Sequence, residues 1–290
     1  MFKGSYVALA TPFNEDGSVD FEAYGHLVDF QLEHGTDGLV PCGCTGEAAT
    51  LSHEEQKQCI RFVVERAAGR AKVLAGTGSN STREAVELTK FAAEAGADGA
   101  LLITPYYNKP TPAGQVAHYE TVAKAVPNLP IMLYNVPSRT GTNMLPATVA
   151  KLSQVDNIRA IKEAAGSVDQ VSQILSLCDI TVMSGDDSLT LPMMAVGATG
   201  VVSVAANVAP GPVAELCRRA LAGDYAGARE IHYRLMPLFK ALFIETNPMP
   251  VKAALARMGL IKNVLRLPLV PLSAEKAPEL ENVLRNLGLV

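Results

Sequence analysis

Short apolar runs alternate with amphipathic segments along most of the chain. The runs fall near residues 5–11, 37–42, 72–77, 99–104, 130–136, 158–164, 180–185 and 200–205, each rich in Val, Ile, Leu and Ala and without polar alternation. Strands of that composition are covered on both faces, as in a parallel sheet. Between them, Phe21 to Glu33, His53 to Ala68, Arg83 to Ala95 and Pro112 to Ala125 carry apolar residues at helical spacing. Strand and helix repeated eight times predict an α/β fold, a closed (β/α)8 TIM barrel over residues 1–224. An internal echo supports it: Gly35-Thr36-Asp37-Gly38, Gly96-Ala97-Asp98-Gly99 and Gly197-Ala198-Thr199-Gly200 share one format, in which a glycine stops a helix and another opens the next strand. A doubly wound open sheet is the alternative, but no G-x-G-x-x-G follows the first strand, and Gly76-Thr77-Gly78 lacks the third glycine. From about Pro210 the pattern is helical to the end, with helices predicted over Pro212 to Ala222, Tyr225 to Phe243, Pro250 to Met258 and Ala274 to Leu287. The first closes the barrel, and residues 225–290 form a C-terminal helical appendage.

Composition narrows the function classes. With 290 residues, 48% hydrophobic and 19% charged, the chain can bury a large core, and a net charge of -4 with no Lys/Arg cluster gives no footprint for nucleic acid or a membrane surface. The expected partners are small molecules and further copies of the chain. No apolar run approaches a membrane span, and Met1 to Tyr6 leads into the first strand without the pattern of a signal peptide. Cys42, Cys44, Cys59, Cys178 and Cys217 are odd in number and lack C-x-x-C spacing, as expected of reduced thiols in a cytoplasmic protein. Cys42-Gly43-Cys44 is too tight for an ordinary disulfide or a zinc site.

Barrel enzymes place their chemistry at the carboxyl ends of strands. Lys162, in Ile158-Arg159-Ala160-Ile161-Lys162-Glu163-Ala164, is expected to share a strand face with Ile158, Ala160 and Ala164. Burial there destabilises the ammonium, and a fall from about 10.4 to about 7 corresponds to roughly 4 to 5 kcal/mol. A neutral amine is what a carbonyl-attacking nucleophile must be. The alternative is a lysine whose stem lies along the barrel while its head reaches water. Cys42-Gly43-Cys44-Thr45-Gly46-Glu47 reads as a turn whose N–H groups and hydroxyl suit a carboxylate or phosphate, or simply as a tight turn. Tyr106 and Tyr107 follow Pro105, Tyr134 ends the fifth strand, and Arg139 can clamp a carboxylate. Gly185-Asp186-Asp187 ends the seventh, and the two carboxylates point to opposite faces without a histidine, so no metal site is expected.

Four of these motifs, in order at the ends of the second, fourth, fifth and sixth strands, carry a resemblance: Gly43-x-Thr45-Gly46-Glu47, Thr104-Pro105-Tyr106-Tyr107, Tyr134-Asn135-Val136-Pro137-x-Arg139-Thr140-Gly141 and Ile161-Lys162-Glu163-Ala164. The chain resembles the pyruvate-dependent class I aldolases and lyases, and within them the dihydrodipicolinate synthase family, over nearly its whole length. The resemblance implies a Schiff-base condensation of pyruvate with L-aspartate 4-semialdehyde to 4-hydroxy-tetrahydrodipicolinate, in lysine and diaminopimelate biosynthesis, with no cofactor. It implies Lys162 as the imine-forming nucleophile, Tyr134 as proton donor and acceptor, and Tyr107 entering a neighbouring subunit's site to complete a relay. Thr45, Arg139 and Gly185 are implied as substrate-binding residues. A homo-oligomer is implied, a tetramer built as a dimer of dimers.

One position departs from the family pattern: Cys44 stands where a threonine normally links the two tyrosine hydroxyls, and a thiol is a weaker, longer-reaching donor. A reduced rate is therefore expected. The resemblance also implies inhibition by L-lysine at Ala49, His53, Asn80, Glu84 and Tyr106, although Ala48 and Gln56 replace the more usual serine and histidine. N-acetylneuraminate lyase and the 2-keto-3-deoxy sugar acid aldolases share the lysine and tyrosine, whereas Arg139 and the Tyr106-Tyr107 pair favour the synthase. A catalytically silent barrel that senses a keto acid or lysine has only Cys44 in its support.

Overall fold

The computed structural model describes residues 2–290. Its strands are β1 (Gly4–Ala8), β2 (Gly38–Val40), β3 (Lys72–Gly76), β4 (Gly99–Ile103), β5 (Ile131–Asn135), β6 (Ile158–Glu163), β7 (Thr181–Ser184) and β8 (Gly200–Ser203). All pair in parallel in chain order, and β8 returns to β1, so the sheet is a closed barrel. The helices of the barrel layer are α1 (Phe21–Glu33), α2 (His53–Ala67), α3 (Thr82–Glu94), α4 (Pro112–Ala125), α5 (Pro137–Thr140), α6 (Pro146–Leu152), α7 (Val168–Leu177), α8 (Thr190–Ala195) and α9 (Pro210–Leu221). Three more come after them, α10 (Tyr225–Ala241), α11 (Met249–Arg257) and α12 (Ala277–Asn286).

Local chemistry fixes the helix starts. Asp20 accepts the Ala23 N–H at the head of α1, and Ser52 and Glu55 form a reciprocal capping box at α2. The barrel separates two apolar layers. Tyr6, Val40, Leu74, Leu101, Met132, Ala160 and Val202 fill the interior, while alternate strand residues such as Val7, Leu39, Leu133 and Ile161 meet the helices.

Two expectations are corrected. Ile158 lies in the outer layer and not on the Lys162 face, because the β5–β6 register shifts between Ile131 and Met132 and the exposed Arg159 takes up the extra residue. The second strand stops at Val40, because Pro41 offers no N–H and Cys42 takes a left-handed φ of 56°. Residues 259–273 are irregular, as Pro268 and Pro271 interrupt any helix between α11 and α12. Val251, Ala254 and Leu255 of α11 belong to the same apolar core as the outer layer. No helix among the described residues is long and apolar enough to cross a membrane.

Candidate active site

Parallel register puts Tyr134 on β5 directly beside Lys162 on β6, near the carboxyl end of the barrel. The ammonium lies 4.1 Å from the centroid of the Tyr134 ring. Only 5% of Lys162 is exposed. Burial lowers its pKa to about 8 and the Arg139 cation adds to that, against the opposing pull of Cys44 and Asp187. Gly185 makes room for the stem, since a Cβ there would come within 2.9 Å of Lys162 Cε and 2.7 Å of Ala164 Cβ.

Cys44, Thr45, Arg139 and Gly185 line the same cavity, of about 710 Å³, as Tyr134 and Lys162. The Cys44 thiol donates to the Tyr134 hydroxyl at 4.0 Å, and burial holds the Tyr134 pKa well above its usual value. Thr104 fixes the tyrosine from behind through its hydroxyl, which donates to the Tyr134 carbonyl at 2.9 Å. Arg139 projects from α5, which Pro137 starts and Gly141 ends at φ +70°. Its Nη2 donates to the Asn247 carbonyl at 2.9 Å, and Asn247 Nδ2 donates to Thr45 Oγ1 at 3.0 Å. The arrangement offers a desolvated amine to a ketone, a phenol to move protons, and a hydroxyl and a guanidinium for carboxylates.

Asp186 and Asp187 spend their carboxylates inside the protein. Asp186 accepts from the Ser188 N–H and hydroxyl, while buried Asp187 accepts from the Ser203 hydroxyl and the Val204 and Ala205 N–H groups. Asp187 keeps a raised pKa from burial.

Tyr107 does not join this cavity within one chain. It is 88% exposed, at a left-handed φ of 71°. Tyr106 faces a second cavity of about 430 Å³ with Ala49, His53 and Glu84, where His53 Nε2 stands 3.8 Å from Glu84 Oε2. Asn80 is not part of that lining; its carbonyl accepts from Asn108 Nδ2 at 2.9 Å. Cys44, Tyr134 and Arg139 line both cavities, as a shared wall.

Sequence reasoning missed Asn247 and the buried pair of Glu47 with Lys252, 2.6 Å apart. A signal was present: Lys252 is a lone charge in Pro250-Val251-Lys252-Ala253-Ala254-Leu255.

Known proteins match this chain end to end. The model of the dihydrodipicolinate synthetase family matches residues 1–287. The 4-hydroxy-tetrahydrodipicolinate synthase of Geobacter metallireducens is 53% identical, covering 100% of both chains. The dihydrodipicolinate synthase of Acinetobacter baumannii complexed with pyruvate is 44% identical with a TM-score of 0.98, covering 100% of each chain. The enzyme of Cyanidioschyzon merolae with lysine bound is 41% identical with a TM-score of 0.97, covering 100% of this chain and 99% of that one. Likeness of this extent, on a barrel whose strand ends carry the expected lysine and tyrosine, has one consequence: the chain belongs to the dihydrodipicolinate synthetase family.

Proposed function

We propose that the protein is a 4-hydroxy-tetrahydrodipicolinate synthase, a lyase that condenses pyruvate with L-aspartate 4-semialdehyde on the path to lysine and diaminopimelate. The observation that carries this reading is Lys162, desolvated to a pKa of about 8 against the Tyr134 ring. Its amine adds to the pyruvate ketone and water leaves, giving a protonated imine. That imine withdraws electrons, so a methyl proton is lost and the enamine carbon bonds to the aldehyde. Tyr134 supplies and removes these protons, with Cys44 beside its hydroxyl. Thr45 and its turn hold the pyruvate carboxylate, and Arg139 holds that of the semialdehyde. The electron sink is the imine itself, so the chemistry calls for no cofactor.

The site is completed by a neighbour in a tetramer built as a dimer of dimers, with Tyr107 entering the partner's cavity. Its 88% exposure at a left-handed φ supports this, because such a conformation persists where contacts hold it. L-lysine inhibits from the second cavity, where the carboxylate of Glu84 suits an ammonium. Five free cysteines support a cytoplasmic location.

The test is pyruvate-dependent consumption of L-aspartate 4-semialdehyde, together with borohydride reduction in the presence of pyruvate. Turnover and a Lys162 adduct are expected. An adduct without turnover moves the reading to a sugar-acid aldolase, and neither leaves a silent binder.

A further inference from the structure

Glu47 closes the turn that carries Cys44 and Thr45. Its N–H donates to the Cys44 carbonyl at 3.2 Å, and its backbone sits at φ +54°, a region that residues with a Cβ avoid. Both carboxylate oxygens are occupied: Oε1 accepts from Lys252 Nζ at 2.6 Å and Oε2 from the Arg266 N–H at 3.1 Å. The Glu47 and Lys252 side chains have no solvent exposure at all. Lys252 also donates to the Thr11 carbonyl at 2.9 Å and lies 4.2 Å from the centroid of the Phe13 ring, which Arg266 faces at 4.5 Å.

The segment leading into α11, the helix that carries Lys252, reaches the turn as well. Asn247, just ahead of α11, donates to Thr45 Oγ1 at 3.0 Å, and the Thr11 hydroxyl donates to the Gly46 carbonyl at 2.7 Å. Thr45, Gly46 and Glu47 are thus each held by a separate buried contact. A tight turn needs no ion pair from a residue 205 positions away to keep its shape. Burying two charges is costly, and hydrophobic replacement of such pairs is often neutral for stability, so fold stability does not account for this one.

We infer that Glu47 and Lys252 are positioning residues for pyruvate: α11 is a back-plate that fixes the turn so that Thr45 and its neighbouring N–H groups face the substrate carboxylate. The inference rests on the proposed pyruvate chemistry. Neither residue lines the wall beside Lys162, so neither touches the reacting atoms. Their loss acts on binding of pyruvate more than on the chemical step.

The experiment compares the wild type with Lys252→Met and with the double variant Glu47→Gln/Lys252→Met. The single variant strands a buried carboxylate and is expected to melt at a lower temperature, whereas the double variant removes both charges and melts near the wild type. In the folded double variant the pyruvate KM rises about ten-fold or more, kcat at saturating pyruvate stays within about three-fold, and the KM for the semialdehyde is unchanged. A folded double variant with a wild-type pyruvate KM overturns the inference. Should the double variant not fold, Phe13→Leu keeps every charge and removes the ring beneath Lys252. A pyruvate KM raised about three-fold supports the back-plate there, and an unchanged KM overturns it. Borohydride trapping of pyruvate on the wild type separates the two readings. No wild-type adduct defeats the pyruvate chemistry itself, whereas an adduct with unaltered variants defeats only the back-plate.

Discussion

The Cys44 thiol and the Tyr134 hydroxyl stand 4.0 Å apart at the mouth of the barrel. A thiol bridges that distance weakly, where a threonine hydroxyl would form a shorter and stronger bond. Cys44→Thr is therefore expected to raise kcat about ten-fold with little change in the pyruvate KM, and Cys44→Ala to lower it further. Steady-state rates of the three proteins decide it; equal values would remove residue 44 from the proton path.

Replacing the nucleophile should stabilise the fold while abolishing the reaction. Lys162→Met leaves no amine for the imine, so mass spectrometry after borohydride finds no pyruvate adduct. The lysine pKa is about 8 when folded against an ordinary 10.5, so below about pH 8 the folded protein bears the buried ammonium at its full cost. That cost is roughly 3 kcal/mol and disappears as the pH rises from about 8 through 10.5. Denaturant titrations should show the variant more stable than the wild type by about 2 to 3 kcal/mol at pH 7 and by less at pH 9.5.

Rate should track the free amine. With Lys162 titrating at about 8, kcat/KM for pyruvate climbs with pH between 6 and 8 and flattens above it. Tyr134 is held above its usual pKa, so no loss from its ionisation interrupts the plateau. A rise that continues unbroken to pH 10 would show a solvated lysine.

Tyr107 lends itself to a mixing test. Lys162→Met and Tyr107→Phe each give low activity alone. Mixed, dissociated and reassembled, they recover a substantial part of it, because a hybrid dimer contains one site with an intact lysine and the neighbour's intact phenol. Absence of recovery would place Tyr107 in its own chain's site.

Among the described residues, Glu84 is the only carboxylate in the second cavity besides the buried Glu47. Glu84→Ala should lose inhibition by lysine and the accompanying rise in melting temperature, with kcat near that of the wild type. An unchanged condensation rate at saturating lysine in the wild type would dismiss the inhibitor altogether.

Much of this is legible in the chain because barrel strands and their ends are local signals. Lys162, Tyr134, Thr45 and Arg139 each stand at or just beyond the end of an apolar run, and the structure brings all four to one cavity. Non-local events are hidden. The outward turn of Ile158 depends on register against β5, and Lys252 meets Glu47 across 205 positions of sequence, a pairing that no local pattern marks. Tyr107 projects from its own chain into open space, so no packing within the chain marks its role.

On the proposed function, the shared wall of Cys44, Tyr134 and Arg139 makes inhibition and turnover unequal targets for mutation. His53 and Glu84 touch the second cavity alone, so changes there can silence a ligand without disturbing the reacting groups. Changes in the wall alter both at once. If the second cavity binds lysine as proposed, loss of inhibition runs along its far side, and a ligand seated there shares the Tyr134 wall with the cavity of Lys162.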